Sequence, residues 1–174
     1  MPTVILDAGH GGSDFGATYQ GRREKDDNLA LTLAVGDILA ANGVDVLFTR
    51  TTDIYETPTA KALEGNASGA DYFISIHRNS SPIPNQYTGI ESLVYNRNST
   101  AANIAQNINR NLEAVGFANQ GINERRNLAV LRRTSMPAVL VEAGFINNDR
   151  DNDLFDAQFD AIAQAIADGI LESI

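Results

Sequence analysis

Strand-length apolar runs alternate with helix-length patterns along almost the whole chain, an order that belongs to crossover units rather than hairpins. The runs fall at residues 4–6, 44–49, 72–76, 90–95, 128–131 and 138–141. A first helix is expected between Asp26 and Asp27 at its start and Gly43 just past its end, with Leu31, Val35, Ile38 and Leu39 on its apolar side. Others are expected over residues 58–67 and 100–115, and a last one carries Phe155, Phe159, Ile162, Ile166 and Ile170 at helical spacing. The class is therefore α/β, and no linker divides the 174 residues, so a single domain over 1–174 is expected.

Charge and composition remove several functions. A net charge of −9 repels phosphate backbones and anionic lipid surfaces, so neither nucleic acid nor membrane is an expected partner. The absence of cysteine excludes disulfides, thiolate metal sites and cysteine nucleophiles. No stretch approaches the ~20 apolar residues of a membrane span. Met1-Pro2-Thr3 leads straight into the first strand, so no signal peptide is expected within this chain.

The chain has only two histidines, and each sits where an apolar run gives way to a polar turn. His10 follows Leu6-Asp7-Ala8-Gly9, and His77 follows Ile74-Ser75-Ile76. In an open α/β sheet the C-terminal ends of neighbouring strands meet at one edge, where ligands bind. Taken singly, either histidine is an ordinary core or surface residue; their matched placement points to a shared metal site. A catalytic zinc takes three His or carboxylate ligands and leaves a fourth position open. Glu24, on the segment between the His10 turn and the first helix, is the candidate carboxylate. Glu142 directly follows the apolar run Ala138-Val139-Leu140-Val141 and so projects from the same edge if that strand is parallel. A charge in that position is costly unless it is used or paired, and beside a zinc ion it suits a proton carrier.

These motifs, in this order, resemble the zinc-dependent N-acetylmuramoyl-L-alanine amidases of the amidase-3 family, found in autolysins, sporulation lysins and phage endolysins. The resemblance runs through Leu6-Asp7-Ala8-Gly9-His10-Gly11-Gly12, Glu24-Lys25-Asp26 with Asn28 and Leu29, and Thr49-Arg50-Thr51-Thr52-Asp53. It continues through Asn66-Ala67, Ser75-Ile76-His77-Arg78-Asn79, Val130-Leu131-Arg132, and Met136-Pro137-Ala138-Val139-Leu140-Val141-Glu142 with Gly144-Phe145. It implies a twisted, mostly parallel sheet of about six strands flanked by helices. It implies one Zn²⁺ held by His10, Glu24 and His77, with Glu142 as catalytic acid/base and Asn79 as a substrate contact. The implied reaction is hydrolysis of the amide between N-acetylmuramic acid and L-alanine in peptidoglycan, outside the cell at the wall, by a monomer, with room for a separate wall-binding module beyond this chain. Two departures stand out: Lys61 where these enzymes often carry arginine, and Arg78 where a small residue is common, a change expected to bear on substrate contacts. Only residues 80–88 separate the second-histidine strand from the next, so the long self-inhibiting insertion of some relatives is not expected.

Other chemistries fit less well. No Gly-x-Ser-x-Gly elbow supports a serine hydrolase, and the glycines around His10 lack both the G-x-G-x-x-G and the Walker pattern. A glycosidase pair made of Glu24 and Glu142 would leave both histidines unexplained. A zinc peptidase cutting elsewhere in the stem peptide, and a metal-stabilised module that docks on cell wall without cutting it, remain alternatives. Arg125, Arg126, Arg132 and Arg133 form a basic cluster in an acidic chain, read either as a solvated face or as a grip on stem-peptide carboxylates.

Overall fold

The structure, a computed structural model, describes residues 1–174. In chain order it contains β1 (Thr3–Ala8), β2 (Thr18–Tyr19), β3 (Arg22–Arg23), α1 (Glu24–Ala41), β4 (Asp45–Phe48), α2 (Pro58–Ser68) and β5 (Tyr72–Asn79). There follow β6 (Ile90–Val94), α3 (Thr100–Val115), β7 (Asn119–Glu124), α4 (Ala129–Arg132), β8 (Ala138–Phe145), α5 (Asp149–Ala157) and α6 (Phe159–Leu171). Six strands form one sheet in the order β4-β1-β5-β8-β6-β7, and β2 and β3 make a separate short pair. β4, β1, β5 and β8 run parallel, while β6 lies antiparallel to β8 and β7 follows β6. The expected α/β class and mostly parallel sheet of six strands are both present.

The central strands are continuous apolar runs because both faces are covered. On one face Val4, Leu6, Ile74, Ile76, Val139 and Val141 join a core with α1, α3 and α6. Ile5, Phe73, Leu140 and Leu93 on the other meet Val130 and Leu131 in a smaller cluster. Alternation along the strands then sends Asp7, Ser75, His77 and Glu142 to this second, thinly covered face. Register closes the arrangement, pairing Asp7 with Ser75 and His77 with Glu142.

Helix starts follow local chemistry. The Thr57 and Ser99 hydroxyls cap α2 and α3 by accepting from Ala60 N and Ala102 N. α1 begins at Glu24, not after it, so this glutamate stands in the first helical turn with Asp26 and Asp27, where carboxylates suit the helix dipole.

Three expectations about elements need correction. Residues 128–131 form the short helix α4 rather than a strand. Val130 and Leu131, adjacent in sequence, both enter the smaller cluster, which strand alternation does not allow. The sixth strand is instead β7, whose Asn-Gln-Gly-Ile-Asn-Glu sequence pairs on one side only and so lacks an apolar pattern. The last helix is two, α5 and α6, broken at Gln158 (φ −117°, ψ 27°). Phe155 and Phe159 pack edge to face across the break at 5.7 Å, which keeps the apolar spacing continuous through it.

Candidate metal centre

β1 and β5 are neighbours, and Gly9 N donates to Ile76 O (3.0 Å) just past the end of β1. The chain then turns sharply, with His10 in the left-handed region at φ 63°. His10 Nδ1 lies 2.8 Å from Asp14 Oδ2, leaving Nε2 facing Glu24 Oε1 at 3.3 Å. His77 Nδ1 lies 3.0 Å from the other carboxylate oxygen of Glu24. The ligand atoms of His10, Glu24 and His77 all fall within 4.8 Å of one another. Glu24 is fixed by donation from Ala17 N to Oε1 and from Asn28 Nδ2 and Arg78 N to Oε2, each at 3.1 Å. A Cβ at Gly9 would overlap the His77 ring, and one at Gly16 (φ 67°) would press on Glu24 and His10, so both positions require glycine.

Electrostatics follow from this packing. Burial opposes charge on His10, but hydrogen bonds and attraction from Glu24 and Asp14 outweigh it and raise its pKa to about 9. Burial likewise opposes charge on Glu24, yet the two histidines hold its carboxyl well below the ordinary range. Two imidazoles and one carboxylate, with a carboxylate orienting one ring from behind, match the donor chemistry of a catalytic zinc site with an open position. The set is one able to hold a metal ion.

Behind the His10 turn, buried cations grip the backbone. Lys61 Nζ pairs with Asp7 Oδ1 at 2.9 Å and donates to Ala8 O (2.8 Å) and His10 O (3.4 Å). Arg50 donates to Ala8 O, Gly9 O, Lys25 O and Thr52 O. Asp7 also accepts from the hydroxyls of Thr49 (2.7 Å) and Ser75 (2.6 Å). Asp53 takes Gly12 N and Lys25 Nζ, tying the far side of the turn to the Arg50 segment. Neither Asp7, Arg50, Lys61 nor Asp14 stood out in the sequence as part of the centre; Asp14, four residues beyond His10 in a glycine-rich turn, was the most readable of them.

Glu142 lies one strand over, beside His77 across the β5–β8 pair. Burial, reinforced by Glu24 and Glu91 and opposed by the two histidines, raises its pKa to about 7. Its Oε2 is buried and has no hydrogen-bond partner. Glu91 faces Glu142 across β6–β8 and is held by Asn79 Nδ2 (2.9 Å) and Asn123 Nδ2 (2.8 Å). The Asn79 amide thus holds Glu91 from the edge of the centre, and its oxygen takes Ser80 N. Arg78 points through the sheet to the opposite side. It bonds Ala143 O, Asp27 and Asn152 and stacks on Phe155, so the expected influence on substrate contacts is not found. A cavity of about 420 Å³ opens beside His10 and His77, walled by Lys61, Thr59, Leu140 and Asn127 to Val130.

An α/β sheet with a His, Glu, His set at adjacent strand ends, and a carboxyl near neutrality beside it, defines a candidate metallohydrolase centre. The model of the N-acetylmuramoyl-L-alanine amidase family matches residues 4–172, and the chain belongs to that family, whose members act on peptidoglycan. The sporulation-specific N-acetylmuramoyl-L-alanine amidase of Bacillus subtilis (strain 168) is 38% identical over 176 residues, covering 98% of this chain and 67% of that protein. The endolysin of Bacillus phage SPP1 is 36% identical over 97% of this chain and 65% of its own length. The chain therefore spans about two thirds of the curated relatives it matches. Among solved structures, the N-acetylmuramoyl-L-alanine amidase from Clostridium difficile 630 superposes with a TM-score of 0.92 at 32% identity, covering 98% of this chain and 95% of that one.

Proposed function

We propose that residues 1–174 are the catalytic domain of a zinc-dependent hydrolase cleaving the amide between the lactyl group of N-acetylmuramic acid and the first L-alanine of the stem peptide. The observation that carries this reading is the convergence of the ligand atoms of His10, Glu24 and His77 at the C-terminal ends of β1 and β5, with Glu142 beside His77 on the next strand. When bound, zinc polarises the scissile carbonyl and lowers the pKa of a water molecule. His10, Glu24 and His77 hold the ion, and Asp14 keeps the His10 ring oriented toward it. Glu142 takes the proton of the attacking water on its unpartnered Oε2 and passes it to the departing L-alanine nitrogen. A carboxyl near pH 7 suits both halves of that transfer. Asn79, half-buried beside Glu91, is assigned to the substrate side of the centre.

The domain acts at the cell wall, as a monomer, with wall attachment supplied by a separate module where one exists. Digestion of purified peptidoglycan tests the reading. Stem peptides with a free N-terminal L-alanine, intact glycan strands and no new reducing sugar ends are expected. New reducing ends, or cuts only within the stem, would overturn it.

A further inference from the structure

We infer that Arg97, Arg125 and Arg126 form a subsite for the carboxylates of the stem peptide, an inference that rests on the amidase reading. The three touch a single residue, Glu124, at the ends of β6 and β7: Arg97 through its backbone N, Arg125 at the Glu124 carbonyl, and Arg126 alone with its guanidinium at the carboxylate. Arg97 N donates to Glu124 Oε1 (3.2 Å), Arg125 Nη1 donates to Glu124 O (3.0 Å), and Arg126 Nη2 lies 3.4 Å from Glu124 Oε2. Arg126 also rests over the Tyr95 ring at 4.9 Å, which preorients its planar group. Only Arg126 has a carboxylate partner for its side chain among these three; Arg22, Arg23, Arg78 and Arg110 are paired, and Arg132, Arg133 and Arg150 are exposed without one, so it is the grouping of Arg97, Arg125 and Arg126 beside the centre that sets them apart. In a chain with 22 acidic and 13 basic residues, exposed guanidinium groups left with one carboxylate between them form a local positive field.

That field connects directly to the candidate centre. Arg97 Nη2 donates to Asn123 Oδ1 (3.3 Å), Asn123 Nδ2 to Glu91 Oε2 (2.8 Å), and Glu91 faces Glu142. The opposite rim, by the His10 turn, carries Asp14, Asp53 and Glu56. An anionic strand crossing the site is therefore repelled at one rim and drawn to the other, so the peptide lies toward β7 and the uncharged sugar toward the His10 turn. From Glu142 the arginine group is two strands across and three residues along, roughly 14 Å at usual sheet spacings, the reach of about four extended residues. The carboxylates engaged are thus those within about four residues of the scissile amide. Arg132 and Arg133, at the far end of α4, are not part of the subsite.

The test titrates the full chain carrying Glu142→Gln with two synthetic stem peptides, one with free carboxylates and one with carboxamides. The free acid should bind about tenfold tighter, the scale of a charge-assisted contact near the surface, and the margin should shrink with salt. Adding Arg97→Gln, Arg125→Gln and Arg126→Gln should erase the discrimination; with Glu142 intact, the triple variant should raise KM about tenfold at nearly constant kcat. Arg132→Gln with Arg133→Gln should leave discrimination within twofold. Undiminished discrimination in the triple variant, no discrimination in its parent, or an equal loss in the Arg132/Arg133 variant would overturn the inference. Because the titration needs no turnover, a digest that refutes the amidase reading is recognised separately.

Discussion

Replacing Lys61 by methionine isolates the clamp behind the His10 turn. The substitution keeps the length of the side chain and removes its charge, leaving Asp7 buried with the Thr49 and Ser75 hydroxyls as its remaining donors. Breaking one side of a buried ion pair costs about 3–5 kcal/mol. The two hydroxyls, and Arg50 still bonding Ala8 O, place the expected loss near the lower end, about 3 kcal/mol. For a domain of this size that lowers Tm by about 6–12 °C. Adding Asp7→Asn removes the stranded charge, so the double variant should be more stable than Lys61→Met alone, with a coupling of roughly 1–3 kcal/mol in the cycle. Lys61 also bonds His10 O, holding a non-glycine residue at φ 63°, so zinc affinity should fall by about 10–100-fold, as for loss of an outer partner of a ligand. Denaturant unfolding in chelator measures the first quantity, and competition with a zinc-binding dye the second. A Lys61→Met protein within about 0.5 kcal/mol of its parent and with unchanged zinc affinity would refute the clamp.

Further outcomes follow from the same geometry. Glu142→Gln should lower kcat by roughly 10²–10⁴-fold while zinc content, measured by elemental analysis, stays near one per chain. Zinc should raise Tm, and more so as pH rises: the folded metal-free chain holds His10 at about 9 against 6.5 unfolded. That contribution to the metal-free protein is fully present below pH 6.5 and lost toward pH 9, so the gap in Tm between zinc-loaded and chelated protein should widen over that window. Gly9→Ala should displace the His77 ring and weaken both folding, by about 1–3 kcal/mol, and zinc binding, seen in the same two assays. A fully stable, zinc-binding Gly9→Ala protein would show that the close approach is not required.

Much of the fold was legible because the central strands are buried on both faces and the helices carry plain start signals such as Thr57-Pro58 and Ser99. His10, His77 and Glu142 were legible because charged or imidazole side chains at the ends of buried runs have few other uses, whereas Glu24, in a polar segment, joined them through the order of the family's motifs. The chain hid what depends on pairing. β7 has one apolar side chain and a single neighbour, so its strand character comes from β6 rather than from its own residues. The direction of Arg78 follows from strand parity beside His77, yet its partners Asp27, Asn152 and Phe155 lie in segments far apart in sequence. The arginine cluster read as four neighbours became a group of Arg97, Arg125 and Arg126, because β6 and β7 end side by side. Asp7 looked like one acid among 22, and only the crossing of α2 beneath β1 gives it Lys61.

The reversal of chain direction at β6 divides the working face into two halves with separate histories open to them. His10, Glu24 and His77 depend on β1, β5 and the start of α1, whereas Glu91, Asn123 and the arginines depend on two strands that run the other way. The loop at residues 95–99 belongs to the reversed half alone, and it can lengthen, shorten or change charge while the ligand set stays fixed, whereas residues 80–89 bridge the two halves from β5 to β6. A lineage built on this plan can be retuned to a different wall without relearning how to break the bond.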